Sequence, residues 1–434
     1  MNSYDKTCEW LFSQLPVYQR QGRAAYKADL HNTEKLDEYF GNPHRNFQSI
    51  HIGGTNGKGS VSHMIASVLQ VAGYRVGLYT SPHLLDFRER IRINGEMIPK
   101  REVVQWVSRH KAMIDELKPS FFELTVAMAL DYFSRSQIDI AVIEVGMGGR
   151  LDSTNIITPL ISIITNISPD HMEFLGDSLE KIAIEKAGII KKRVPVLTGE
   201  ERKEIYSIFD DAARKSNSPI YQAGKIFQVP FSVIADDGYQ YFNLRHRRKP
   251  VYPGLKSDIT SISQRKNLPV VMQAIEIIRK NRFQISEDHL YRGIADAAKN
   301  TGFHGRWEII GKSPMIVLDT AHNQEGIKEL VRQISETRHE KLHIIFGVVN
   351  DKAIDHMLRL LPADAGYYFT KADIPRALDE KILGAKAAFY GLNGKIFNSV
   401  RDAFDRALTE ASDKDLILVT GSTFLVADAM KVNP

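Results

Sequence analysis

Residues 54 to 60 read Gly54-Thr55-Asn56-Gly57-Lys58-Gly59-Ser60, led in by the apolar run Phe47-Gln48-Ser49-Ile50-His51-Ile52 and followed by Val61-Ser62-His63-Met64-Ile65-Ala66-Ser67-Val68-Leu69. The pattern predicts a strand, a phosphate loop and a helix. Three glycines let backbone amides turn inward around an anion, the helix N-terminus adds its positive dipole end, and Lys58 adds a full charge; such a loop binds a nucleoside triphosphate. It departs from the usual Walker A spacing. Ile52 stands where the first glycine belongs, and Gly59 is inserted between Lys58 and Ser60.

Outward from the loop, Arg75 to Tyr79, Ile138 to Val145, Leu160 to Thr165 and Val194 to Leu197 read as strands. Glu102 to Leu117, Leu124 to Ser134 and Leu179 to Ile189 carry helical periodicity. This alternation predicts a mostly parallel sheet with helices on both faces, whose first strand delivers the phosphate loop. From Lys225 to Pro253 short extended pieces around Asp236-Asp237-Gly238 predict a small antiparallel appendage, and a helix is expected from Gln264 to Arg279. A second α/β series uses Met315 to Leu318, His343 to Phe346 and Leu416 to Val419 as strands. The expected architecture is an ATP-binding domain over residues 1–298 and a smaller Rossmann-like α/β domain over 299–434, with a ligand cleft between them.

The chain has 434 residues and a net charge of +5, enough for two or three domains with cores. Its one dense basic tract, Arg245-His246-Arg247-Arg248-Lys249, reads as a solvated loop face. Basic residues interleaved with aromatics are not seen elsewhere, which argues against nucleic acid as a partner. Cys8 is the sole cysteine, so neither an intrachain disulfide nor a cysteine zinc site is possible. No stretch approaches the roughly 18 apolar residues of a membrane span, and the N-terminal residues carry no signal segment; a cytoplasmic location is expected.

Several residues at strand ends carry chemistry. Thr80-Ser81-Pro82-His83 follows the second strand, where Ser81 reads either as a Mg2+ or phosphate ligand or as part of a Ser-Pro turn. Glu144 ends a buried strand before Val145-Gly146-Met147-Gly148-Gly149-Arg150, a place suited to a hard cation or simply to a Gly-rich turn. Asn166-Ile167-Ser168-Pro169-Asp170-His171 again follows a strand, and its imidazole gains interest only beside Ser81 and Glu144. Lys186, on spacing alone, is an exposed helix lysine before Gly188. In the second half, Asp319-Thr320-Ala321-His322-Asn323 sits at a strand end, with Arg306 upstream as a bidentate phosphate partner.

These motifs together resemble the folylpolyglutamate synthase and dihydrofolate synthase family, a branch of the Mur ligase superfamily. The matching pieces are Gly54 to Ser60, Thr80-Ser81-Pro82-His83, Phe121-Phe122-Glu123, Glu144 through Asn155, Asp170-His171, Glu185-Lys186-Ala187-Gly188, Gly305-Arg306, Leu318 through Asn323 and Gly421-Ser422. They run nearly the whole chain in family order. The inserted Gly59 is the form these ligases share.

The resemblance implies that Gly54, Thr55, Asn56, Gly57, Lys58, Gly59 and Ser60 hold the ATP phosphates, and that Asn267, Arg306 and Asp319 also contact ATP. It assigns Ser81 and Glu144 to one Mg2+ and His171 with Glu144 to a second. Lys58, Lys186, Asp319 and His322 would be catalytic, Lys186 as a carbamylated lysine, which reverses the reading from spacing. Asp29, Leu30, Phe121, Phe122, Glu123, Leu151, Asp152 and Ser153 would contact the pterin substrate, and Ser422 matches a second-domain position linked to activity. The implied reaction is ATP-dependent addition of L-glutamate to dihydropteroate and to folates through an acyl phosphate, by a monomer acting on small molecules.

Two rivals remain at this stage. A cell-wall Mur ligase carries an extra domain ahead of the phosphate loop, where this sequence has about fifty residues. A P-loop GTPase requires an Asn-Lys-x-Asp motif; Asn350-Asp351-Lys352 has the wrong order.

Overall fold

The computed structural model describes residues 3–14, 29–350 and 354–432, so Asp351 and Lys352, weighed above against a guanine motif, lie outside the described residues. The chain forms two units, Met1–Asp258 with Gln264–Phe303, and Ile259–Ser263 with His304–Pro434.

The first unit is built on eight strands: β1 Gln48–Gly53, β2 Val76–Tyr79, β3 Ile91–Ile93, β4 Glu96–Met97, β5 Ile140–Glu144, β6 Ile161–Ile164, β7 Val196–Thr198 and β8 Ile220–Gln222. Their order is β4-β3-β2-β5-β1-β6-β7-β8. Pairing is parallel from β2 to β8 and antiparallel only at the β2-β3-β4 edge. Strands covered on both faces lose their polar alternation, which is why Ile140-Ala141-Val142-Ile143 reads as an unbroken apolar run.

Register decides what meets at the carboxyl edge. Ile52 of β1 lies beside Glu144 of β5, and Gly53 lies beside Ile164 of β6. The loop after β1 therefore emerges between the ends of β5 and β6. The helix Lys58–Val71 that follows buries every residue from Ser60 to Leu69. It packs against β1, β2 and β5 and against the helices Gln264–Lys280, Glu287–Ala295 and Ala297–Thr301.

The expected helix over 102–117 is two helices, Lys100–Arg109 and Lys111–Leu117, joined at His110. The break has a packing cause: the His110 ring sits 4.9 Å from Phe40 and 5.1 Å from Trp106, and its Nδ1 lies 3.2 Å from the Tyr39 hydroxyl. Between Phe227 and Ser257 six short strands, β9 Phe227–Gln228, β10 Ser232–Ile234, β11 Gln240–Phe242, β12 Arg245–His246, β13 Lys249–Pro250 and β14 Lys256–Ser257, form two small antiparallel sheets. Gly238 turns the β10-β11 hairpin at φ +83. Arg247 and Arg248 are exposed at the tip between β12 and β13.

The second unit has one six-stranded sheet of β15 Glu308–Lys312, β16 Met315–Leu318, β17 Leu342–Phe346, β18 Gly366–Phe369, β19 Gly394–Ile396 and β20 Leu416–Thr420. The order is β15-β16-β20-β17-β18-β19, parallel except for the β15-β16 hairpin. No helix among the described residues is long and apolar enough to cross a membrane.

Candidate active site

The phosphate loop is held from below by the end of β6. Thr55 N donates to the Asn166 carbonyl at 2.9 Å, Asn56 N donates to Asn166 Oδ1 at 2.9 Å, and Thr165 Oγ1 donates to the Asn56 carbonyl at 2.6 Å. Ser168 completes the clasp, its amide donating to Thr55 Oγ1 at 3.0 Å. Two glycines are obligatory here. Gly54 has φ +130 with Thr165 Oγ1 only 2.0 Å from where a Cβ would stand; Gly57 has φ +84 with Asn267 Oδ1 at 2.3 Å. Asn267, which the resemblance implies contacts ATP, thus abuts the loop.

Lys58 begins the helix, and its Nζ donates to the carbonyls of Gly54 and Thr55 at 3.1 and 3.0 Å. Lys186 reaches the same loop from the helix Leu179–Ala187, donating from Nζ to the Gly54 carbonyl at 2.8 Å. The exposed helix lysine read from spacing is corrected: Lys186 is 4% exposed. Burial, and secondarily the charge of Lys58, lower its pKa to about 7.

Ser81 and Glu144 meet across adjacent strand ends, the Ser81 amide donating to Glu144 Oε2 at 3.3 Å. The same oxygen is 3.9 Å from the Cβ position of Gly59, so the carboxylate faces the loop. A hydroxyl and a carboxylate beside a phosphate loop are the oxygen donors Mg2+ takes. His171 stands at the start of the short helix Met172–Leu175 with φ +49, its Nε2 3.8 Å from Asp170 Oδ1. The described residues hold no group of three or more His, Cys, Asp or Glu side chains arranged for a metal ion. The structure thus pairs Ser81 with Glu144 and does not gather His171 into a three-ligand cluster.

The segments assigned to substrate lie on mutually packed elements. The helix His31–Tyr39, the helix Phe121–Arg135 and the 3-10 turn Ser153–Ile156 touch one another. Asp29 precedes the first and accepts from His31 N at 3.0 Å, with half-buried Leu30 next to it. Glu123 is buried in a capping box with Ser120, Ser120 N donating to its Oε2 at 2.6 Å, and Asn32 Nδ2 donates to the same oxygen at 3.4 Å. The Phe122 ring comes within 2.3 Å of a Cβ placed on Gly146, so this glycine lets the ring lie against the loop after Glu144. Phe121 stacks on Phe12 at 4.9 Å. Between half-buried Leu151 and buried Ser153, Asp152 accepts from Met147 N at 2.9 Å and from Thr154 N at 3.0 Å, and burial raises its pKa. Glu123 and Asp152 are therefore carboxylates that shape the site through backbone amides.

In the second unit, Asp319 is buried and each of its oxygens holds one amide, Trp307 N at 2.8 Å and Ala321 N at 2.9 Å. Burial raises its pKa, and the Arg306 guanidinium opposes that shift. His322 Nδ1 is 2.9 Å from the Thr320 carbonyl; a carbonyl only accepts, so Nδ1 carries a proton. Gly421 N donates to the Ala321 carbonyl at 3.2 Å, which brings Ser422 beside this turn. Ser422 Oγ accepts from Phe424 N at 3.1 Å, capping the helix Thr423–Val432.

Sequence reasoning gave no role to Thr165, Asn166 and Ser168, whose signal was their place at a strand end beside the loop. It also passed over Arg90. That guanidinium is buried, donates from Nε to His83 Nδ1 at 2.7 Å and lies 5.3 Å from the Phe121 ring.

Comparison with known proteins agrees with this geometry. Residues 52–226 match the Mur ligase middle domain and residues 305–423 match the Mur ligase glutamate ligase domain. The chain is 30% identical over 440 residues to the dihydrofolate synthase/folylpolyglutamate synthase of Bacillus subtilis, covering 99% of each. It is 32% identical to a probable bifunctional folylpolyglutamate synthase/dihydropteroate synthase of Haloferax volcanii; 94% of this chain is matched, but it spans only 48% of that longer protein. The structure of Escherichia coli FolC in complex with DHPP and ADP superimposes with a TM-score of 0.86 at 26% identity, covering 99% of this chain and 97% of that one.

Proposed function

The chain belongs to the folylpolyglutamate synthase/dihydrofolate synthase family of the Mur ligase superfamily, and from that premise we propose that it joins L-glutamate to both dihydropteroate and the glutamate tail of folates. It is an ATP-dependent ligase. The observation that carries the site assignment is the convergence of Lys58, Lys186, Ser81 and Glu144 on one phosphate loop.

The chemistry follows from what a carboxylate lacks. It is a poor acyl donor, so the γ-phosphoryl group of ATP passes to it, giving ADP and an acyl phosphate with a good leaving group. The amine of glutamate then attacks the acyl carbon, phosphate departs, and an amide remains. The loop amides, the helix N-terminus and Lys58 bind and orient the phosphates for this transfer. Ser81 and Glu144 would hold one Mg2+, which when bound neutralises phosphate charge. His171 with Glu144 is our assignment for the second, near the extra carboxylate that carbamylation would add to Lys186. Carbamylation needs a neutral amine, and a lysine whose pKa falls to about 7 supplies one near neutrality.

Asn267, Arg306 and Asp319 are assigned to ATP, His322 and Ser422 to the glutamate half of the reaction, and the packed group of Asp29, Leu30, Phe121, Phe122, Glu123, Leu151, Asp152 and Ser153 to the pterin. The first unit would then be the ATP-binding domain and the second the glutamate ligase domain of a cytoplasmic monomer. The test is coupled ADP release. Turnover should require ATP, a pterin carboxylate and glutamate together; glutamate-independent GTP hydrolysis would refute the assignment.

A further inference from the structure

Gly59, the residue that separates this loop from the usual Walker spacing, lies within an ordinary helical turn, so backbone conformation does not explain it. Space does. A Cβ at Gly59 would stand 3.3 Å from Cε2 and 3.8 Å from Cζ of Phe303. The same ring packs at a tilt of 36° against His63, one helical turn further on, with centroids 4.4 Å apart. Phe303 is the last residue of the first unit, and the chain enters the second at His304.

The segment before Phe303 is fastened to the same helix and its neighbours. His63 Nδ1 is 2.7 Å from Thr301 Oγ1, and Arg92 donates to the Gly302 carbonyl at 3.0 Å. The chain's return into the first unit, at Gln264, is tied there too. Gln264 Nε2 donates to Ser60 Oγ at 3.4 Å, Asn267 Nδ2 donates to Gln264 Oε1 at 3.0 Å, and Asn267 abuts Gly57. Two of the three places where the chain passes between the units are thus pinned to the phosphate loop and the first turns of its helix.

We propose that Phe303 is a positioning residue for the phosphate loop, fixing the first helical turn that carries Lys58 and Ser60, and that glycine stands at 59 because the Phe303 ring occupies the space a side chain would take. This rests on the nucleotide-loop reading above. The ring lies against the turn at Gly59, which couples the position of the Phe303 segment to that of Lys58 and Ser60.

A double-mutant cycle tests this with ADP and a non-hydrolysable ATP analogue as probes, read by calorimetry on the full chain. G59A should weaken nucleotide binding about 10-fold or more, F303L about 3-fold, and G59A/F303L should bind within about 3-fold of F303L because the smaller side chain admits the methyl. F303L should also raise KM for ATP while leaving KM for glutamate and for the pterin unchanged. A merely structural loss would lower the active fraction, and so kcat, with every KM constant. Additive effects in the cycle, or an F303L enzyme with unchanged KM for ATP, would overturn the proposal. Failure of the wild-type protein to bind either nucleotide would instead overturn the loop reading itself. Should G59A not fold, F303L and its KM pattern decide alone.

Discussion

Lys186 Nζ donates to the carbonyl oxygen of Gly54, the first residue of the phosphate loop, at 2.8 Å. A buried amine with Lys58 nearby resists protonation, and the folded pKa near 7 lies below the ordinary lysine value of 10.5. Between those values the unfolded chain binds a proton that the fold does not. Stability should therefore rise with pH from about 7 to 10, with a slope approaching about 1.4 kcal/mol per pH unit from this group. Lys186→Met should abolish that rise in urea titrations and lower turnover on the order of 100-fold, with the fold retained by circular dichroism. Unchanged turnover would remove Lys186 from the chemistry.

Glu144 faces the loop and accepts from the Ser81 amide. Glu144→Gln keeps volume and acceptor but removes the charge. It should lower kcat roughly 100-fold and raise the Mg2+ concentration needed for half-maximal rate, with little change in Tm. A Mg2+ titration matching wild type would exclude Glu144 as a ligand.

His51 is buried and His83 half-buried, and desolvation lowers both pKa values to about 3. Neutral in the fold, each takes up a proton on unfolding once the pH drops below the ordinary histidine value of 6.5. Stability should fall as pH is lowered from about 6.5 towards 3, by up to about 1.4 kcal/mol per pH unit for each ring. His83→Gln should make that acid slope shallower, measured as urea midpoints against pH.

Asp152 holds the amides of Met147 and Thr154, so Asp152→Ala leaves buried donors unpaired in the turn after Glu144. A loss of about 2–3 kcal/mol in urea unfolding is expected, with a raised KM for the pterin substrate. Asp152→Asn, which retains an acceptor, should lose less.

The strand, loop and helix around Gly54 to Ser60 were legible because glycine placement and periodicity are local properties. The carboxyl-edge positions of Ser81 and Glu144 were legible for the same reason. Lys186 was misread on spacing although a signal existed. Leu179, Ile182, Ala183 and Lys186 follow the i, i+3, i+4, i+7 pattern, which puts the lysine on the inward stripe while Ile184 is 56% exposed. The break at His110 and the contact of Phe303 with Gly59 could not be read, since both depend on rings brought together from distant parts of the chain. That Glu123 and Asp152 accept from backbone amides was not legible, since a sequence shows a carboxylate but not the amides that reach it.

The most direct test of the account is ATP-dependent incorporation of labelled L-glutamate, run separately with dihydropteroate and with tetrahydrofolate as acceptor. The account predicts label in both products, with ADP formed only when acceptor and glutamate are both present. Label in the tetrahydrofolate product alone would remove the synthase half of the activity. Absence of label from both, with ADP formed regardless of glutamate, would contradict the account as a whole.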